Sequence, residues 1–121
     1  MDALRILLVE DEAIMGQLLG EVLQGMGHVV CATETTEADA VAAVARCKPD
    51  LMLVDIQLGV GNGISAVEKI LRNGFIPHVF YSGDISGVRT SRPSAVSIQK
   101  PFRVRELAEA IQRALDARVP A

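Results

Sequence analysis

Two rhythms of apolar residues alternate along this chain. Arg5-Ile6-Leu7-Leu8-Val9 and Leu51-Met52-Leu53-Val54 carry apolar side chains at successive positions. Such runs read as strands buried on both faces, as in a parallel sheet. Val29-Val30-Cys31-Ala32, Pro77-His78-Val79-Phe80-Tyr81 and Ala95-Val96-Ser97-Ile98 are three further candidate strands, the last the poorest. Between them, apolar residues recur at helical spacing. Ile14, Leu18, Val22 and Met26, with Leu19 and Leu23 beside them, predict a first helix. Acids in its first turn are expected to suit the helix dipole, and Gly25 and Gly27 stop it. Thr36-Glu37-Ala38-Asp39 resembles a capping box opening a second helix. Its inward side is expected to be Ala38, Val41, Ala42 and Ala45, and Pro49 ends it. Ile64, Val67, Ile70 and Leu71 stripe a third helix closed by Asn73-Gly74. Val104, Leu107, Ala108, Ile111 and Leu115 stripe the last. Ile85 to Pro93 has no clear stripe and predicts mostly loop, with one helical turn. Five strands alternating with helices give an α/β domain with a parallel sheet and right-handed crossovers.

The chain's 121 residues fit one domain, 1-121, with one core. Apolar residues make up 50% and aromatics 3%, so that core is aliphatic. A net charge of -3 argues against direct nucleic-acid binding, which favours a basic excess. No apolar stretch reaches the ~20 residues of a membrane span, and no leader pattern opens the chain. A cytoplasmic protein without membrane insertion is expected. Cys31 and Cys47 have neither zinc spacing nor the density of a disulfide scaffold, and two reduced thiols are expected. His28 and His78 have no ligand spacing.

Chemistry gathers at the strand ends. Glu10 and Asp11 end the first strand, Asp55 the third, Ser82 the fourth and Lys100 the fifth. In one parallel sheet these ends share an edge, the place where open α/β sheets bind ligands. Each residue taken singly has a bland reading. Asp55 could cap a turn, Glu10 and Asp11 could be helix-start acids, Ser82 could serve the turn at Gly83, and Lys100 could be a solvated charge. Together they say more. Three acids forced together repel, and a divalent cation relieves them; hard oxygen ligands suit Mg²⁺. A lysine and a hydroxyl opposite suit a phosphoryl oxygen. Gly59, Gly61 and Gly63 let the chain turn directly after Asp55. The constellation describes a site where an Asp nucleophile accepts a phosphoryl group.

These residues resemble the receiver domains of two-component signalling, the CheY-like family, over essentially the whole length. The resemblance rests on Leu8-Val9-Glu10-Asp11-Glu12, on Leu53-Val54-Asp55-Ile56 with Gly63, on Tyr81-Ser82-Gly83 and on Lys100-Pro101-Phe102. It implies a doubly wound (βα)5 flavodoxin-like fold, with strand order 2-1-3-4-5 and helices on both faces. It further implies that Asp55 takes a phosphoryl group from a sensor histidine kinase or phosphotransfer protein. Asp11, Asp55 and the backbone carbonyl of Gln57 would bind Mg²⁺ directly, and Glu10 through water. Lys100 would pair with the phosphoryl group and Ser82 would hydrogen-bond it. The Lys100-Pro101 bond is expected to be cis. The implied output is contact with a downstream protein, or service as a phosphate sink, rather than enzymatic turnover.

Four departures from the family pattern stand out. Glu10 replaces the usual Asp, Gly59 the usual Pro, and Ser97 the usual switch aromatic. Ser82 to Lys100 is also short for a full fourth helix. With Phe80-Tyr81-Ser82-Gly83, this last feature is similar to the stand-alone subgroup named for its Phe-Ala-Thr-Gly motif, although Tyr81 replaces the alanine and Ser82 the threonine. Asp84 to Arg92 is expected to order or shift on phosphorylation. Gln57 and Asp84, each two positions beyond a site residue, are candidates to set the lifetime of the phosphoryl group. Tyr81 reads as a strand residue. Two other readings remain open: a phosphorylation-independent interaction domain on the same fold, favoured by Ser97, and an Asp-nucleophile phosphatase. The latter lacks a second acid two residues after Asp55.

Overall fold

The two unbroken apolar runs form the middle of the sheet. β1 (Arg5–Val9) and β3 (Leu51–Asp55) lie side by side in parallel register, Leu8 opposite Leu53. β2 (Val29–Glu34) pairs with β1 on one side. β4 (His78–Ser82) pairs with β3, and β5 (Ser97–Gln99) with β4 on the other. The order is β2-β1-β3-β4-β5, all parallel, as the alternating pattern and the resemblance imply. In the computed structural model, residues 2–117 are described; Met1 and 118–121, the outermost residues of the expected domain, lie outside them.

Alternate strand residues face opposite ways, so each central strand feeds two cores. Ile6, Leu8, Leu51, Leu53, Val79 and Tyr81 pack with α1 (Ala13–Gly25) and α5 (Val104–Ala117). Leu7, Val9, Met52, Val54 and Phe80 pack with α2 (Glu37–Cys47) and α3 (Gly63–Leu71). Helix starts follow from their caps. Thr36 Oγ1 accepts from the Asp39 amide at 3.1 Å, and Asn62 Oδ1 from the Ile64 amide at 2.7 Å. Among the described residues no helix is long and apolar enough to cross a membrane.

Several expectations need correction. In α1 the buried residues are Gly16, Leu19 and Leu23, whereas Ile14 is 77% and Leu18 52% exposed. This helix carries apolar residues on both sides, so periodicity alone misplaces Ile14 and Leu18, while Leu19, Leu23, Val22 and Met26 do pack on the core. In α2 the buried residues are Ala40, Ala43 and Cys47, while Ala38, Ala42 and Ala45 are exposed. Alanine stands on every side of that helix and discriminates nothing. The acids Glu10, Asp11 and Glu12 precede α1, with Glu12 at the N-cap, and none lies in its first turn. The segment after β4 forms α4 (Ser86–Ser91), six residues long, held by buried Ile85 and Val88. Cys31 and Cys47 are not free thiols but a disulfide, with Cα atoms 5.8 Å apart. They meet because α2 folds back over β2, a tertiary contact that a separation of 16 residues does not reveal.

The two histidines are buried at 4% and 8% exposure, and their partners assign opposite tautomers. His28 Nδ1 accepts from the Leu4 amide at 3.1 Å. His78 Nδ1 lies 2.8 Å from the Ile76 carbonyl, which only accepts, so that nitrogen carries the proton. Burial pushes both below the ordinary histidine value. The unfolded chain therefore binds protons that the folded chain does not. Their contribution to stability is complete above about pH 6.5 and is lost as pH falls toward the depressed folded values. Thermal melts between pH 7.5 and 5.5 are expected to show this loss, and His28→Gln to reduce it; an unchanged pH slope contradicts the assignment. Denaturant titration of α1 variants checks the buried face. Leu19→Ala is expected to cost about 2–5 kcal/mol and Leu18→Ala no more than about 0.5 kcal/mol. Equal losses would contradict it.

Candidate functional site

Parallel strands deliver their last residues to one edge. Glu10 follows β1 directly, and its amide continues the ladder to the Glu34 carbonyl at 2.9 Å. β3 ends in Asp55, and the Asp55 position pairs with Tyr81 on β4. Lys100 follows β5 directly, and its amide donates to the Ser82 carbonyl at 2.8 Å. The Lys100-Pro101 peptide is cis. Glu10, Asp55, Ser82 and Lys100 therefore stand at the carboxyl edge, with Asp11 one residue beyond Glu10.

The side chains converge as well. Lys100 Nζ lies 3.2 Å from Asp55 Oδ2 and 3.9 Å from Glu10 Oε1. Carboxylate oxygens of Glu10, Asp11 and Asp55 lie within 4.8 Å of one another. Glu10 and Asp55 are buried at 1% and 3% exposure, and Asp11 is exposed. Asp55 Oδ1 accepts from the Gln57 amide at 3.0 Å, which fixes the carboxylate against its own loop. Asp11 Oδ2 accepts from the Gly59 amide at 2.7 Å. Ser82 is fully buried, and its hydroxyl oxygen accepts from the Asp84 amide at 3.2 Å. Gln57 is exposed at the loop entrance and bridges to Asn62.

The charges do not balance. Two like charges at 4.8 Å repel by about 3 kcal/mol at an effective dielectric of 20. Three carboxylates and one ammonium leave a formal charge of -2, which one divalent cation cancels. The donors are all hard oxygens, and exposed Asp11 leaves an approach from solvent. The residues present thus fit a cation such as Mg²⁺. Burial pushes the Glu10 carboxyl above its ordinary range. The Glu12 amide and the Tyr81 hydroxyl draw it back, and the nearby Asp55 charge raises it again.

Three neighbours of the site were not legible as such. Tyr81 is fully buried, and its hydroxyl donates to Glu10 Oε1 at 2.7 Å. Burial pushes its phenol well above the ordinary range, so it stays a donor. Phe102 packs edge-on against its ring at 6.1 Å between centroids. Glu37, at the start of α2, accepts from Ser65 Oγ and pairs with Lys69 Nζ at 2.9 Å, pinning the loop that follows Asp55. The one available signal was Tyr81 itself, a polar tip in an otherwise apolar strand.

The profile of the response regulator receiver domain matches residues 6–112. The chain belongs to the response regulator receiver family. Phyllosphere-induced regulator PhyR of Methylorubrum extorquens is 34% identical over 117 residues, covering 93% of this chain and 44% of that protein. Chemotaxis protein CheY of Thermotoga maritima is 32% identical over 68 residues, covering 56% of this chain and 57% of that one. The chain matches about half the length of these curated relatives. The solution structure of the Erythrobacter litoralis PhyR receiver domain superposes with a TM-score of 0.88 at 31% identity, covering 100% of this chain and 97% of that one. PhyR from Brucella abortus gives 0.86 at 31% identity, with 95% of this chain and 49% of that one covered.

One glycine is demanded by the site itself. A Cβ on Gly63 would run into the Asp55 carbonyl oxygen, while the Gly63 amide donates to the Ile56 carbonyl at 2.9 Å. Gly63→Ala is therefore expected to lower stability by about 1–3 kcal/mol, the usual cost of forced backbone strain, and to displace Asp55. Denaturant titration checks this; a neutral change contradicts the close packing.

Proposed function

We propose that this receiver accepts a phosphoryl group on Asp55 from a sensor histidine kinase or phosphotransfer protein in a Mg²⁺-dependent reaction. The observation that carries the reading is the Lys100 ammonium, 3.2 Å from Asp55 Oδ2 in a pocket it shares with Glu10 and Asp11. Asp11, Asp55 and the Gln57 backbone carbonyl would hold the cation, with Glu10 acting through a water. When bound, it supplies positive charge against the phosphoryl oxygens.

The residues of this chain do the rest. An Asp55 oxygen attacks phosphorus, an oxygen–phosphorus bond forms, and the nitrogen–phosphorus bond of the phosphohistidine breaks. The released imidazole takes a proton from water. Lys100 gives up part of its bond with Asp55 and pairs with a phosphoryl oxygen. The oxygen of Ser82 already accepts from Asp84, so the hydroxyl hydrogen is the group it offers to the phosphoryl oxygen. Gln57, exposed beside Asp55, and Asp84 would influence the later attack of water. The chain assists its own transfer and dephosphorylation without turning over a substrate. Its output is contact with a downstream protein or service as a phosphate sink, within a single receiver domain spanning 1-121. Protein contact is supported by the exposed Leu18 and Val104, which with Met15 and Phe102 line an apolar groove beside Lys100. Direct binding of nucleic acid and membrane insertion are not part of the reading, and the expected location is cytoplasmic.

A second reading rests on Ser97, which stands opposite Phe80 on β5 where the family pattern has an aromatic. Without that ring, the fold could serve as an interaction domain independent of phosphorylation.

Acetyl phosphate with Mg²⁺ separates the two. Intact mass is expected to rise by one phosphoryl group, peptide mapping to place it on Asp55, and Asp55→Asn to abolish it. Lys100→Ala is expected to slow labelling at least tenfold while leaving Asp55 modifiable. An unmodified chain favours the interaction domain, and continued release of phosphate over many turnovers favours a phosphatase.

A further inference from the structure

Glu10 lies deeper than any other acid of the site, and its side chain is one carbon longer than the aspartate usual in the family. A longer side chain has more rotamers to lose, so its carboxylate needs anchors. The structure supplies two. Glu10 Oε2 accepts from the Glu12 amide at 3.0 Å, and Oε1 accepts from the Tyr81 hydroxyl at 2.7 Å. The first anchor is its own chain two residues on. The second comes from β4, two strands across the sheet.

Tyr81 is itself held fast. It is fully buried in a strand that pairs on both sides, and its carbonyl accepts from the Ile56 amide at 3.0 Å. Phe102 meets its ring edge-on, and Lys100 Nζ sits 5.0 Å from the ring centroid. Among the described residues its hydroxyl has one other acceptor, the Val9 carbonyl, at 3.5 Å. A rigid phenol with one close acceptor is an orienting group, since partners behind a ligand fix its direction.

We infer that Tyr81 is a positioning residue for the cation pocket, holding the Glu10 carboxylate where it can receive a metal-bound water. The inference rests on the reading of Glu10, Asp11 and Asp55 as a cation site. Glu10 and Tyr81 form a matched pair. An aspartate at position 10 would sit back by about one carbon–carbon bond, ~1.5 Å, and would leave the phenol behind.

A double-mutant cycle tests this by Mg²⁺ calorimetry on the unsubstituted protein, Tyr81→Phe, Glu10→Asp and the double variant. Tyr81→Phe is expected to weaken Mg²⁺ binding about tenfold, in the range for orienting partners. In the Glu10→Asp background the same change is expected to have no further effect. Tyr81 is the single tyrosine of a chain without tryptophan, so its emission reports on this bond directly. That emission is expected to change on Mg²⁺ addition to the unsubstituted protein, a readout that needs no variant to fold. Unweakened binding by Tyr81→Phe, a full tenfold loss retained beside Glu10→Asp, or emission unmoved by saturating Mg²⁺ each overturns the inference. If the unsubstituted protein binds no Mg²⁺, the cation site itself is refuted and the inference goes with it.

Discussion

One ammonium stands between two buried carboxylates at the edge of this sheet, with a third carboxylate close by. Lys100 reaches both Asp55 and Glu10, but a single positive charge cannot neutralise three negative ones. The pocket is therefore left electrostatically incomplete, and that shortfall gives it a use. Leaving like charges unbalanced costs stability, since each close pair repels by a few kcal/mol at a realistic dielectric. A sheet core buried on both faces is what lets the fold bear the cost. It fixes the backbone at the strand ends from which Glu10 and Asp55 project.

The sheet was readable because its central strands are apolar at every position, a pattern that only burial on both faces explains. The site was readable for a related reason: parallel strands place all their carboxyl ends on one edge, so Glu10, Asp55, Ser82 and Lys100 had to be neighbours. Helix faces were harder. Ile14 and Leu18 continue an apolar stripe as well as Leu19 and Leu23 do, and the alanines of α2 fit either side. Two side-chain pairings were not readable. The disulfide of Cys31 and Cys47 depends on how α2 lies over β2, and the bond of Tyr81 to Glu10 depends on a phenol reaching across the sheet.

The departures from the family pattern divide by place. Those near the carboxylates are compensated: the longer Glu10 is anchored by Tyr81, and Gly59 donates its amide to Asp11. Those farther away are not. Position 97 carries no ring, and α4 is six residues long with two buried anchors. The chemistry of the pocket is thus supported throughout, whereas the parts that would relay its state are reduced.

Whether the three acids act as one cation site is the point on which everything else turns. Two-dimensional amide spectra during Mg²⁺ titration test it most directly. The account predicts saturable shifts confined to Glu10–Glu12, Asp55–Gly59 and the neighbourhood of Tyr81 and Lys100, fitting one ion per chain and lost in Asp11→Asn. Shifts that are absent, scattered over the surface, or unchanged by Asp11→Asn would contradict it.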